Sequence, residues 1–458
     1  MARNLLLLAA LAASTLAGPA FAQVDPSVRK LRDAALKDDV AWNVVEGLTT
    51  EIGPRPDGSP QEARARDWAV AKLKGLGFSN VHIEPYQLDT WVRGLESGEI
   101  VSPYPQPLRL TALGNSGATP PEGLTLPVVF FESFADLKAA PEGSLKGKIA
   151  FVSNSMQPTM DGSSYGSQGQ ARRAGPAIAA KKGAAAIVIR SIGTDHGRGP
   201  HAGVTNFGDV TPIPAAALSV ADAENLERII KRGKPVTLHL LLTPQRVGMR
   251  DSGNVVAEVP GTDPAAGVIL IGGHLDSWDL GTGAIDDGAG VAITTSAAKL
   301  LMEAGKHRRT IRVVWFGDEE TGGFGGLAYA KAHIGERHAL AAESDFGADR
   351  IWRFQTNLPD NAKVITDRLA TALDPLSVVR GASAAGDGTD VEPTMATGVA
   401  SVNLNQNGLR YFDWHHTPED TLDRIDPEQL RQNVAAWTVM LAILADAPEE
   451  IGPVPFQK

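Results

Sequence analysis

Five side chains able to bind a metal are spread over the second half of this 458-residue chain, several of them at the ends of strand-like runs. They are His274 in Gly-Gly-His274-Leu-Asp276, Asp286 in Ile-Asp286-Asp287-Gly, Glu320 in Phe-Gly-Asp-Glu319-Glu320, Asp345 in Glu-Ser-Asp345-Phe, and His416 in Trp-His-His416-Thr. Two imidazoles and three carboxylates are what two zinc ions sharing one bridging carboxylate require, because each ion then has three protein ligands and a position left for water. The spare carboxylate, Glu319, stands where a general base belongs.

Each residue has a plainer reading. His274 follows glycines that let a strand turn sharply, and Asp276 is spaced to hydrogen-bond its far ring nitrogen and so fix the metal-binding tautomer. Alone, it would be a packed structural histidine. The loop Gly281-Thr-Gly-Ala-Ile-Asp286-Asp287-Gly-Ala-Gly290 can bring one carboxylate between two cations, although Asp-Asp-Gly also starts ordinary helices. Asp318, Glu319 and Glu320 follow the apolar run Ile311 to Gly317, and three adjacent acids at the end of a buried strand repel one another unless a cation neutralises them. Neighbours there point in different directions, so one can ligate while the next reaches water. Asp345 by itself is as readily a helix cap. Of His415 and His416, the second directly precedes the turn Thr417-Pro-Glu-Asp-Thr421, which selects it. In Asp195-His196-Gly-Arg198-Gly-Pro-His201, the glycines suggest an ordered loop through which His201 faces substrate. A serine hydrolase reading is set aside for want of a nucleophile elbow, and a nicotinamide site for want of its glycine fingerprint.

The elements that must position these groups follow from periodicity. After Ser252, strand and helix alternate as in an α/β fold with a doubly wound sheet flanked by helices. Strands are expected at Val268 to Gly272, Ile311 to Gly317 and Ala339 to Glu343, each leading to a candidate ligand. That is where open α/β sheets converge their loops. Val28 to Trp42 and Gln61 to Leu76 read as surface helices, Gly290 to Ala304 as a helix, and Pro427 to Ala445 as an amphipathic closing helix. From Ser97 to about Arg246 the texture changes to Pro- and Gly-rich segments with short strands at Leu126 to Phe131, Gly147 to Val152 and Ala184 to Ile189, and a helix at Arg172 to Lys182. This predicts a domain (97–246) inserted in a catalytic unit made of 23–96 and 247–458; a long excursion of a single domain is the alternative.

Composition narrows the function. Hydrophobic content of 43% with 21% charged residues suits a globular protein with a large core. The net charge of −10 argues against nucleic acid and anionic membrane as partners. With no cysteine in the chain, disulfides, thiolate ligands and a Cys nucleophile are excluded. Residues 1–22 read as a signal peptide: Arg3, an apolar core from Leu5 to Gly18, and a small-x-small site at Ala20-Phe21-Ala22. The core is short of the roughly 20 residues that span a bilayer. An exported, periplasmic or secreted protein with no membrane contact after cleavage is expected.

Taken together, the motifs resemble those of the M28 family of co-catalytic zinc metallopeptidases, most closely its carboxypeptidase Q-like branch. They are Gly-Gly-His274-Leu-Asp276-Ser-Trp-Asp, Gly-Ala-Ile-Asp286-Asp287-Gly-Ala-Gly, Asp-Glu319-Glu320-Thr-Gly-Gly, Glu-Ser-Asp345, Gly-Asp-Gly-Thr-Asp390 and His415-His416-Thr-Pro-Glu-Asp-Thr. The resemblance implies a zinc exopeptidase fold, a doubly wound mixed sheet carrying an inserted protease-associated α/β domain, and pairing as a homodimer. It implies two zinc ions bridged by Asp286, with His274 and Asp345 completing one site and Glu320 and His416 the other. Glu319 would be the general base, Asp276 a catalytic-site support, and Asp287 and Asp390 neighbours of the ligands. The activity implied is hydrolysis of dipeptides or short peptides. Which terminus is read stays open: a free carboxylate would call for a cation such as Arg410. Another zinc amide hydrolase or a cyclase on the same scaffold, and a receptor-like binding protein without turnover, are the competing classes.

Overall fold

The computed structural model describes residues 24–454 except 383, 386 and 387. The expected signal and its cleavage site lie outside the described residues. Two eight-stranded sheets carry the chain. The first is built from β1 (Ser79–Val92), β2 (Gln245–Val259), β3 (Val268–His274), β4 (Ile311–Phe316), β5 (His338–Glu343), β6 (Ile351–Asn357), β7 (Val379–Arg380) and β8 (Ala400–Gln406), in the spatial order β1-β2-β4-β3-β5-β8-β6-β7.

Its four central strands, β4, β3, β5 and β8, are parallel, while β2 and β6 join them antiparallel, so the sheet is mixed. The reason is visible in the residues. Every residue of β3 and β4 is buried, as strands covered on both faces must be, and both read as near-continuous apolar runs. The outer β1 is exposed or half-buried except at Leu88 and Thr90, and pairs with β2 as a long ribbon. β3 sits between β4 and β5, so the chain winds to one side of it and then to the other. Such a reversal opens a crevice at the carboxyl ends of these strands.

The second sheet is formed wholly within residues 96–242, with Leu124–Phe131, Ile149–Val152, Ala186–Arg190 and Ala215–Leu218 running parallel at its centre. Two expected helices are broken. Pro26–Ala35 and Val40–Gly47 are separate, with the Asp38 carboxylate accepting from the Val40 N–H at the second start. Gln170–Arg173 and Gly175–Lys181 are divided at Ala174, just ahead of Pro176, whose ring suits a helix's first turn and disfavours its interior.

The helix Pro427–Ala445 has the expected bounds but not the expected amphipathicity. It is buried on nearly all sides, packed against Ala289–Ala304 and Pro26–Ala35. Its polar residues serve loop backbones instead of solvent: Gln432 receives the Ile351 N–H and donates to the Ile351 carbonyl, and Asn433 donates to the Asp349 carbonyl. Trp437 is fully buried in it. Trp437→Ala should cost about 3–5 kcal/mol of stability, as large aromatic truncations in cores do. Urea unfolding should show a lowered midpoint with an unchanged slope; a loss under about 1 kcal/mol would contradict this placement of the helix.

Candidate active site

The strand ends deliver the candidate residues to one place. His274 is the last residue of β3; Glu319 and Glu320 open a single helical turn directly after β4; Asp345 lies just past β5. Asp286 and Asp287 come from the loop ahead of the helix Ala289–Ala304, and His416 follows the short helix Tyr411–Trp414. Close approach of these segments depends on glycine. A Cβ on Gly273 would lie 2.2 Å from Asp287 Oδ2, and one on Gly290 only 1.8 Å from the Ser344 carbonyl oxygen. Asp318 and His416 hold left-handed backbones, φ 58° and 62°, which non-glycine residues keep only where the surroundings enforce them.

Asp286 divides its two oxygens. Oδ1 lies 3.3 Å from His274 Nε2, which is also 3.6 Å from Asp345 Oδ1. Oδ2 lies 3.2 Å from His416 Nε2, which is 2.9 Å from Glu320 Oε2. Among the described residues, three sets of ligand atoms fall within 4.8 Å of one another: His274, Asp286 and Glu320; His274, Asp287 and Asp345; and Asp286, His415 and His416. His415 therefore approaches too, its Nε2 3.5 Å from Asp286 Oδ2, but its ring stacks on His416 and is wedged among Tyr165, Tyr411 and Phe412. Glu319 lines the same cavity, of about 370 Å³, together with Asp286, Glu320, Asp345 and both histidines.

The electrostatics are those of a buried acidic cluster facing two imidazoles. Burial, reinforced by Asp345, Glu320 and Asp276, pushes Glu319 well above the usual carboxyl range. Glu320 is raised to about 7 by burial and Asp286 against the pull of His416. Burial also drives Asp287 and Asp390 well up. Burial alone would depress His274 and His416. The carboxylates outweigh it: Asp276, Asp286 and Asp345 hold His274 well above its ordinary value, and Glu320 and Asp286 do the same for His416. Asp286, whose burial is opposed by His415, His274 and His416, is held well down. Asp286 Oδ2, Glu320 Oε1 and Asp345 Oδ1 are buried without a hydrogen-bond partner. Unpaired anionic oxygens beside imidazoles are the donor set that a cation completes, so these residues fit a metal pair.

Supporting contacts surround them. The Asp276 carboxylate lies 3.6 Å from His274 Nδ1, and the ring nitrogen is instead held by the Asp276 main-chain carbonyl at 3.0 Å. The carboxylate accepts from the N–H groups of Glu319 and Glu320, fixing the turn that aims those two side chains apart. Asp287 accepts from the N–H groups of His274 and Gly290. Several residues at the site carried no signal strong enough to single out. Fully buried Arg55, between two prolines, donates to the carbonyls of Leu275, Thr282 and Gly283 and ties the His274 and Asp286 loops together. Asp420, within the turn that singles out His416, accepts from Ala284 and Ile285 N–H, and burial raises it to about 7. From the region of the second sheet come Tyr165, Arg172, Arg173 and Val204, which line the cavity; no periodicity marks them.

Other expected residues lie elsewhere or only near. Asp390 is buried behind the cluster, its N–H donating to Glu343 and both carboxylate oxygens unpartnered. His201 is buried and bonded to Asp195, one residue from Ala202, whose carbonyl is 3.3 Å from His416 Nδ1. Arg410 is not brought to the cavity; its guanidinium is held by both oxygens of Asp349 and lies over Trp414. The run Gly162-Ser-Ser164-Tyr-Gly166 does have the spacing of a serine elbow, which corrects the expectation that none exists. It lies in the helix Ser163–Gln168 and not at a strand-to-helix turn, and the Ser164 hydroxyl donates to the Gln157 carbonyl.

Residues 254–441 match the sequence model of peptidase family M28. Carboxypeptidase Q from Bos taurus is 35% identical over 407 residues, covering 88% of this chain and 84% of the relative. The crystal structure of a peptidase M28 precursor from Shewanella amazonensis superposes with a TM-score of 0.91 at 46% identity, covering 94% of this chain and 98% of that one. A zinc aminopeptidase from Bacillus subtilis shares the fold, with a TM-score of 0.64 at 21% identity and coverage of 90% and 97%. With such likeness running through nearly the whole chain, the protein belongs to peptidase family M28 and is a metallopeptidase.

Proposed function

We propose that this protein is an exported exopeptidase that holds two zinc ions and hydrolyses dipeptides or short peptides. The observation that carries the reading is the division of the Asp286 oxygens: Oδ1 lies toward His274, whose ring nitrogen also faces Asp345, and Oδ2 toward His416, whose ring nitrogen also faces Glu320. Asp286 would bridge, with His274 and Asp345 holding one ion and Glu320 and His416 the other. Zinc suits mixed imidazole and carboxylate donors, and zinc is the metal in the name of the aminopeptidase relative. When bound, such a pair supplies an acidified water and polarises the scissile carbonyl.

Glu319 acts as the base. Its carboxyl lines the cavity beside Asp286, Glu320 and Asp345, a place from which it can take a proton from water and return it to the leaving amine. Asp276 keeps Glu319 and Glu320 in different orientations through their N–H groups, so neighbours in sequence perform different tasks. Asp287 fixes the His274 backbone. Residues 97–246 are read as a protease-associated domain inserted in the catalytic unit, a reading supported by the closure of the second sheet within 96–242.

Four measurements test this reading. The purified protein should carry close to two zinc per chain. Glu319→Gln should keep both and lose roughly 10²- to 10⁴-fold in turnover, whereas Glu320→Gln should retain zinc poorly and recover part of its rate in excess zinc. Metal loss from the first variant and retention by the second would reverse the two roles. The exported protein should begin at Gln23, read by N-terminal sequencing; an intact Met1 would refute cleavage after Ala22. Light scattering should give the mass of a homodimer, as the family resemblance implies, and a monomer mass at micromolar concentration would dismiss pairing.

A further inference from the structure

The loop 191–202 leaves the second-sheet strand Ala186–Arg190 and runs against the residues that carry His416. It holds the 411–417 turn at two points. Thr194 donates its N–H to the Phe412 carbonyl and its hydroxyl to Asp413, while Ala202 donates its N–H to the His416 carbonyl and places its own carbonyl 3.3 Å from His416 Nδ1. Between those points run residues 195–201, which include Gly197, Gly199 and Pro200 and have no helix or strand to fix their span. A cross-link at the neck of the loop fixes it instead. His201 Nε2 lies 2.8 Å from Asp195 Oδ1, and since a carboxylate only accepts, the ring donates. The bond joins the neighbour of one holding residue to the neighbour of the other. The second Asp195 oxygen accepts from the Gly197 N–H, and the His201 N–H donates to the Ser191 hydroxyl, which donates in turn to the Leu218 carbonyl of the second sheet. Gly193 makes room for the ring: a Cβ there would lie 2.1 Å from His201 Cε1. The tip of the loop is pinned to the helix Val220–Ile230, where the Ala221 N–H donates to the Gly197 carbonyl and Arg198 pairs with Asp222.

We infer that Asp195 and His201 are positioning residues: their bond sets the separation of Thr194 and Ala202, and through it the place of His416, so that the region of the second sheet completes the site of one metal ion and not the other. The inference rests on the two-zinc reading of the cavity. His201 is 1% exposed, which leaves it no surface for substrate, and its Nδ1 is buried without a hydrogen-bond partner, so the ring's polar bond is the one to Asp195. The path to the metal site is short, because the next residue, Ala202, bonds the His416 backbone and faces its ring. His416 needs that restraint: its backbone is left-handed, φ 62°, a conformation a histidine keeps only where its surroundings enforce it. The other ion's ligands are placed independently. His274 ends β3 and Asp345 follows β5, both in the first sheet, and among the described residues no hydrogen bond joins either to the loop 191–202. Releasing the neck therefore shifts His416 and leaves His274 and Asp345 in place. Partners that hold the orientation of a metal ligand contribute about 10- to 100-fold in affinity for the ion.

The test measures zinc retained by the full chain against a graded series of chelator, on wild type, His201→Phe, His201→Gln and Asp195→Ala. Phenylalanine keeps a ring but no donor, and glutamine returns an N–H near the place of Nε2. Wild type should hold two ions tightly. His201→Phe and Asp195→Ala should hold one ion as wild type does and the other about 10- to 100-fold more weakly, and His201→Gln should recover most of the loss. Retention of both ions by His201→Phe overturns the inference and leaves the two-zinc reading standing. Equal weakening of both ions also overturns it, since a bond that only stabilised the fold would give that result, and so does a His201→Gln as weak as His201→Phe, which would make packing and not the bond responsible. Where His201→Phe fails to fold, Asp195→Ala decides by the same two outcomes, because it leaves the buried ring intact. A wild type that binds fewer than two zinc ions overturns both readings.

Discussion

Crowded negative charge is the constraint on which this structure depends. Asp276, Asp286, Asp287, Asp318 and Glu320 are all buried near the ends of adjacent strands. Two like charges about 4 Å apart repel by roughly 4 kcal/mol at an effective dielectric constant near 20, a large share of the total stability of a domain. The fold disposes of that charge in two ways. Asp276, Asp287, Asp420 and Glu343 each accept from two main-chain N–H groups. Asp286, Glu320 and Asp345 keep buried oxygens without a donor, and each lies within 3.6 Å of an imidazole Nε2. The sorting separates acids that hold backbone from acids available to a cation. Asp318 and Asp390 fit neither group: Asp318 accepts from the Thr321 hydroxyl and keeps its other oxygen unpartnered, and Asp390 is buried with both oxygens unpartnered.

Placement at the centre of the sheet makes the sorting possible. β3 has β4 on one side and β5 on the other, so His274, Glu320 and Asp345 arrive from three neighbouring strands without long loops. Arg55 then closes the arrangement from the amino-terminal side, with its guanidinium satisfied by the carbonyls of the two loops that carry His274 and Asp286. Burial lowers its pKa to about 10, while Asp420, Asp276, Asp287 and Asp286 pull it back up. Its charge is thus held by the same acids whose backbone it secures.

What could be read in the sequence follows from which physics is local. Strand ends, glycine pairs and adjacent acids are short-range patterns, and they singled out Asp286, Glu319, Glu320, Asp345 and His416, which line one cavity, and His274, which is buried against Asp286. Burial on all sides is not local. Pro427–Ala445 has polar residues at solvent-like spacing, yet Gln432 and Asn433 are consumed by loop carbonyls that no window of the helix contains. Arg410 lay near His416 in sequence and was drawn away by Asp349, whereas Arg172 lay 244 positions from His416 and reached it. The Asp276 carboxylate was expected on the His274 ring. Its preference for two N–H donors reflects the turn after β4, which sequence spacing to His274 cannot reveal.

The region of the second sheet has a stake in the chemistry through a few main-chain bonds. Ala202 N–H donates to the His416 carbonyl, the Ala202 carbonyl faces His416 Nδ1, and Thr194 N–H donates to the Phe412 carbonyl. The Thr194 hydroxyl also bonds Asp413. The loop from Thr194 to Ala202 therefore brackets the 411–417 turn on which His416 adopts its left-handed backbone. Because a left-handed histidine persists only under such restraint, separating the second sheet from the first would cost His416 its orientation as well as removing Arg172 and Arg173 from the cavity. On the proposed reading, the placement of a zinc ligand is thus a condition that both sheets set together, through the main-chain bonds of Ala202 and Thr194.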